Sequence, residues 1–225
     1  MALTDDANGV QTPYTSSRDF RSDTVTTPTA SMLAAMSQSS FGDDVYIEDA
    51  TTNEFEHSVA KLLGHEAGLF VSSGTMGNQL GLRMHLMQPP HSVLCDHRAH
   101  VGNYEAGAIA VLSQAMIIPV LPSNGLYLTL EDIEEHTVLS DDIHFAPTKI
   151  ISLENTLSGT IMPLTEVRRI SAWARSKGLK MHLDGARIWN AGRHILIVHG
   201  NRFGWECLSF PPFLPSSRSR GRVSD

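Results

Sequence analysis

LTEVRRISAWARSKGLKMHLDGAR (residues 164–187) is the stretch that decides the fold. Leu164 to Lys177 reads as an amphipathic helix, and Gly178 stands where a C-terminal cap is needed. Lys180 to Asp184 then reads as a strand with a carboxylate at its carboxyl end. The same alternation extends outward in both directions. Met32 to Gln38 reads as a short helix, and Asn53 to Leu63 as another, with Phe55, Val59, Leu62 and Leu63 at helical spacing. Ala67 to Ser73 is a short apolar run that reads as a strand, punctuated by Gly74 and followed by a helix through His85. Ser92–Cys95 and Lys149–Glu154 read as strands, Glu131–His136 as a helix, and Ala108–Leu112 as a strand or a helix end. Strand alternating with helix implies an α/β chain with a mostly parallel sheet. Such sheets take ligands beyond the carboxyl ends of their strands.

Composition narrows the function. The 225 residues carry a net charge of −7. That argues against a nucleic-acid binder, which needs a basic surface. The most apolar stretch, Ala106 to Pro122, is broken by Ser113, Gln114 and Pro119 and falls short of the ~20 apolar residues of a membrane span. Two cysteines, Cys95 and Cys207, make no disulfide framework, which fits a reducing compartment. The N-terminus has neither a basic nor an apolar leader region, so a cytoplasmic location is expected.

In Ser73-Gly-Thr-Met-Gly-Asn a strand-like run meets a helix start. Free backbone N–H groups and the positive end of the helix dipole point outward there. Gly74 and Gly77 permit close approach, and the Thr75 hydroxyl can donate. The segment suits a phosphate cradle; taken alone it also suits an ordinary N-cap with glycines for tight packing.

Six blocks occur in order: Arg21-Ser-Asp-Thr-Val-Thr, Gly42-Asp-Asp-Val-Tyr, Ser73-Gly-Thr-Met-Gly-Asn, Asp142-Ile-His-Phe, Leu153-Glu-Asn-Thr and His182-Leu-Asp-Gly-Ala-Arg-Ile. Together, over residues 19–191, they closely resemble the threonine aldolase family of the beta-eliminating lyase/threonine aldolase type. Leu153-Glu-Asn-Thr-Leu-Ser-Gly-Thr looks like the fungal branch. The resemblance implies a fold-type I large domain that uses pyridoxal 5′-phosphate (PLP) to split threonine or allo-threonine into glycine and acetaldehyde. It thus implies a role in threonine catabolism and glycine supply, and a homo-oligomer with a small amino acid as substrate.

The resemblance also assigns residues. Ser73, Gly74 and Thr75 would hold the phosphate. Asp184 would pair with the pyridine nitrogen and keep the ring an electron sink; alone it could cap the turn before Gly185. Arg187 would reach the cofactor's phenolic oxygen and the substrate carboxylate; otherwise it is a surface salt bridge. His100 would stack on the ring, with His97 as competitor and the spacing to Glu105 favouring His100. His144 would assist proton removal at the β-hydroxyl, or be a strand-edge residue. Ser22 would meet the substrate carboxylate, or be a turn hydroxyl. Tyr46 would lie near a dimer interface without a catalytic part. No metal is implied.

One departure matters most. The family's Schiff-base lysine follows the Asp-Gly-Ala-Arg motif in a Leu-Ser-Lys-Gly context. The only lysines here are Lys61, Lys149, Lys177 and Lys180, and none fits. The match stops at Trp189-Asn-Ala. Residues 192–225 instead hold five arginines, no lysine and two acids, with no helix or strand period. The expected organisation is a disordered segment at 1–18, a partial PLP-dependent large domain at 19–191, and a non-homologous low-complexity tail at 192–225. The small C-terminal domain would then be missing. As such a chain it is expected to be inactive and its assembly is doubtful. The alternatives are a non-catalytic PLP-binding fragment and a β-eliminating lyase acting on aromatic amino acids.

Overall fold

The computed structural model describes residues 22–192, so the readings of 1–18 as disordered and of the tail beyond Gly192 lie outside the described residues. By backbone contacts the chain divides after Phe55 into two units, a division inside the region read as one partial domain.

In the first unit a single 3-10 turn, Asp23–Val25, is capped by Ser22, and α1 (Ala30–Ser37) by Thr29, whose hydroxyl accepts from the Met32 N–H. Asp49 organises the following loop. Its carboxylate accepts from the Thr52 N–H at 2.9 Å, the Ser40 hydroxyl at 2.8 Å and the Gly42 N–H at 3.1 Å. These bonds, the one from Thr52 foremost, hold its pKa below the usual value. Helix α2 (Ala50–Leu63) starts three residues earlier than its apolar spacing predicts, because Asp49 caps it.

The second unit contains α3 (Gly74–Arg83), β1 (Ser92–Asp96), α4 (His100–Asn103), α5 (Ala108–Ser113), β2 (Met116–Val120), α6 (Leu130–His136), β3 (Thr148–Glu154), α7 (Leu164–Ser176) and β4 (Lys180–Asp184). The four strands form one sheet in the order β2-β1-β3-β4, all parallel. Successive residues of a strand face opposite sides, and two cores result. On one side Leu94, Ile151 and Leu153 pack with Ile133 of α6 and Val167, Ile170 and Ala174 of α7. On the other, Val93, Cys95 and Ile150 pack with Leu82 of α3, Val101 of α4 and Ile109 of α5. The central strand β1 is therefore buried along its whole length. Each fully buried isoleucine or leucine contributes about 1.5–3 kcal/mol. Helix α7 ends where Gly178 takes φ +71°, a left-handed turn that feeds β4.

Two sequence expectations change. Ala67–Ser73 is not a strand: Leu69 and Phe70 are exposed, and the Phe70 N–H donates to the Glu56 carboxylate at 2.6 Å instead of to a neighbouring strand. Ala108–Leu112 resolves as helix, bounded by Gly107 and Gln114, both in left-handed backbone.

Candidate functional site

Parallel strands bring their carboxyl ends to one edge of the sheet, and here three of the four ends are acidic. Strand β1 ends on Asp96, β3 on Glu154 and β4 on Asp184. In the β3–β4 register Glu154 lies directly opposite Asp184. Asp184 is only 7% exposed. Its Oδ1 accepts from the Ala186 N–H at 3.1 Å and its Oδ2 from Asn78 Nδ2 at 2.8 Å. Asn78 sits four residues after Gly74 in α3, so it shares a face with the helix's first turn. The same Nδ2 donates to Glu105 Oε1 at 2.8 Å.

Glu105, 4% exposed, follows α4. It also accepts from Gln79 Nε2 at 2.5 Å and lies 2.9 Å from His100 Nδ1. The His100 backbone N–H donates to Glu154 Oε2 at 2.7 Å. His100 is thus held by two carboxylates, one on its ring and one on its main chain. Burial pushes the Glu154 pKa up, and the facing Asp184 pushes it further; the His100 N–H bond and the charges of His100 and Arg187 pull it back. Ligand atoms of His100, Glu105 and Asp184 all lie within 4.8 Å of one another. That set could serve a cation, but the Asn78 amide already bridges both carboxylates.

The fold supports this network from below. His182 is two residues before Asp184 on the same face of β4, and its Nδ1 is 2.9 Å from the Ser152 hydroxyl. Helix α3 passes close above it: a Cβ on Gly81 would stand 3.4 Å from the His182 ring, at the tight end of ordinary contact. Burial lowers the His182 pKa to about 4 from the ordinary 6.5, against the opposing pull of Asp184 and Glu105. The folded protein thus binds this proton less readily than the unfolded chain. Stability is full above pH 6.5 and falls as the pH drops toward 4, by up to about 3 kcal/mol. Glu154, raised, offsets part of that loss at the acid end. Urea midpoints measured across this range should decline, and His182→Asn should flatten the decline. An unchanged slope would contradict the burial of a neutral ring.

The residues singled out in the sequence fall into two groups. Ser73, Gly74, Thr75, His100, Asp184 and Arg187 belong to elements that meet at the carboxyl edge. Ser73 caps α3 by accepting from the Met76 N–H at 3.1 Å. A Cβ on Gly74 would meet nothing within 4 Å, so the helix start is open to approach. Arg187 lies in the turn after β4, with its charge bearing on Glu154. His144 is not brought into the network within this chain. His144 is exposed and bonded to Asp142 of its own loop at 2.7 Å. That loop precedes β3, and so lies at the amino ends of the strands. Ser22 is in the first unit, and its hydroxyl accepts from the Thr24 N–H and hydroxyl, the contacts of a turn residue. His97 stays outside too; its N–H donates to the Val120 carbonyl. The bridging of Asn78, Glu105 and Glu154 was not read from the sequence; the five-residue gap from His100 to Glu105 was its one visible trace. Cys95 is buried, its thiol pushed up to about 12 chiefly by that burial, and is inert.

A doubly wound parallel sheet carries an open helix N-terminus and a carboxylate network at its strand ends, the place where α/β proteins of this class take ligands. A family model described as beta-eliminating lyase matches residues 19–200, and the chain belongs to that family. Beta-eliminating lyases and threonine aldolases depend on PLP. The chain is 60% identical over 178 residues to the low specificity L-threonine aldolase of Saccharomyces cerevisiae, covering 79% of this chain and 46% of that protein. It is 61% identical over 180 residues to the low-specificity L-threonine aldolase of Eremothecium gossypii, covering 79% and 47%. Among solved structures, a threonine aldolase of Leishmania major superposes with a TM-score of 0.65 at 24% identity, over 79% of this chain and 50% of that one; this likeness concerns the fold. The chain spans about half the length of the curated relatives it matches.

Proposed function

We propose that these residues form the cofactor-holding part of a PLP-dependent carbon–carbon lyase that cleaves L-threonine or L-allo-threonine to glycine and acetaldehyde. The observation that carries the reading is the hydrogen-bonded chain Asp184–Asn78–Glu105–His100 at the carboxyl edge of the sheet, with both carboxylates buried. The donor set fits the cofactor. Among the described residues the hydrogen-bond donors on Asp184 are neutral, the Asn78 amide and the Ala186 N–H, which suits a protonated pyridine nitrogen. The first turn of α3, opened at Gly74, suits a phosphate. Half-exposed His100 offers a ring face to a planar ligand. Bound there, the cofactor would supply an electron sink for the carbon–carbon cleavage.

The chain's own residues would do the rest. Asp184 would hold the ring nitrogen protonated, α3 would neutralise the phosphate, His100 would orient the ring, and Arg187 would take a carboxylate or phenolate oxygen. Ser22 and His144 remain proposed substrate contacts on the strength of the resemblance alone. Further chain or a second copy would have to complete the site, in keeping with a homo-oligomer. The exposed Phe41, Val45, Ile143 and Phe145 suit such burial. We place the enzyme in the cytoplasm, in threonine breakdown and glycine supply; no described helix is long and apolar enough to cross a membrane.

The substrate class is tested with two stable probes, the phosphopyridoxyl conjugates of L-allo-threonine and of L-tyrosine. The threonine conjugate is expected to bind more tightly. Equal or reversed affinities would favour a β-eliminating lyase acting on aromatic amino acids.

A further inference from the structure

We infer that Glu105 is a positioning residue that fixes which nitrogen of His100 carries the hydrogen and ties that ring to Asp184 through Asn78. The side chain of Glu105 is fully buried and collects three donors. Oε1 takes Asn78 Nδ2 at 2.8 Å and His100 Nδ1 at 2.9 Å, and Oε2 takes Gln79 Nε2 at 2.5 Å. A carboxylate only accepts, so Nδ1 carries the hydrogen and Nε2 of a neutral ring keeps its lone pair. Nε2 has no hydrogen-bond partner among the described residues.

The rest of His100 is equally constrained. Its main-chain N–H is held by Glu154, and its ring lies 5.6 Å, centroid to centroid, from that of Tyr104. The Gln79 amide points its nitrogen at Glu105 although this leaves its own Oε1 buried without a partner. Two consecutive residues of α3 thus turn toward one carboxylate. Because a single Asn78 hydrogen-bonding group spans Glu105 Oε1 and Asp184 Oδ2 at 2.8 Å each, a shift of either carboxylate moves the other. At Nε2, His100 therefore presents an acceptor, never a neutral-ring donor, to any ligand that reaches that nitrogen. The consequence for the cofactor rests on the PLP reading above; the tautomer does not.

The test is ring nitrogen NMR of the 225-residue chain labelled with ¹⁵N-histidine, at alkaline pH and without ligand. A His100→Gln variant identifies the His100 signals. The wild type is expected in the Nδ1–H form, and Glu105→Met in the Nε2–H form that a free side chain favours in water. Affinity for pyridoxamine 5′-phosphate should fall about tenfold or more in Glu105→Met, by analogy with the loss seen when the carboxylate that orients a metal-ligating histidine is removed. A wild-type ring in the Nε2–H form, or a Glu105→Met ring unchanged from wild type, overturns the inference. Should Glu105→Met not fold, the wild-type spectrum alone decides. An Nδ1–H ring in a protein that does not bind pyridoxamine 5′-phosphate supports the role of Glu105 and counts against the cofactor reading instead.

Discussion

Asp184→Asn is expected to lower affinity for pyridoxamine 5′-phosphate by about 10- to 100-fold while changing folding stability by no more than about 1 kcal/mol. The ligand is chosen because its amine cannot bond surface lysines as an aldehyde can. The affinity loss follows from removing the negative partner of a protonated ring nitrogen, since hydrogen bonds to charged groups contribute about 1.5–3 kcal/mol. The small stability change reflects two opposing effects. The substitution removes one acceptor from Asn78 or the Ala186 N–H. It also removes a negative charge that faces Glu154 across the β3–β4 register and raises its pKa. Titration and thermal unfolding of the same sample separate the two quantities. Wild-type affinity in Asp184→Asn would mean that the carboxylate does not touch the ligand.

As a 225-residue polypeptide the chain is expected to release acetaldehyde from L-allo-threonine with PLP far below one turnover per second, the low end of the ordinary enzyme range. The four lysines explain why. Lys149 and Lys180 lie at the amino-terminal ends of β3 and β4, and Lys177 caps α7 just before β4. These three stand at the opposite end of the strands from Asp184. Lys61 lies in the last turn of α2. Without a lysine at the carboxyl edge to bond the cofactor's aldehyde, the reactants lose an orientation that contributes roughly 10⁵ M or more in effective molarity. Borohydride added to the PLP mixture should accordingly fix no single lysine in preference to the rest. Turnover near one per second, or selective labelling of one lysine, would show that another residue fills that place.

Much of this was legible in the residues. Strands β1 and β3 are short runs with an apolar centre, β4 stands between Gly178 and Gly185, and α7 has a clear period and a glycine stop. The run Ala67–Ser73 is at least as apolar as those strands, but its Phe70 N–H is satisfied by a side chain, Glu56, instead of by a neighbouring strand. Composition cannot register that competition. In the site, Ser73 and Asp184 stand out because each sits in a distinctive local block, and His100 through its spacing to Glu105. The bridge that joins them does not, because Asn78 and Asp184 are 106 residues apart and only the parallel crossover topology brings them together. His144 shows the converse. Its motif is distinctive, yet motif order says nothing about the end of the sheet on which a loop emerges.

The central claim is that one ligand spans α3 and Asp184 at the carboxyl edge. Its most direct test is a residue-resolved NMR titration of the 225-residue chain with pyridoxamine 5′-phosphate. The Gly74 and Thr75 amides, the His100 ring and the Ala186 amide should shift together with one dissociation constant. Shifts confined to the amino-terminal ends of the strands, around Lys149, Lys177 and Lys180, with Gly74 and Ala186 unmoved, would contradict it.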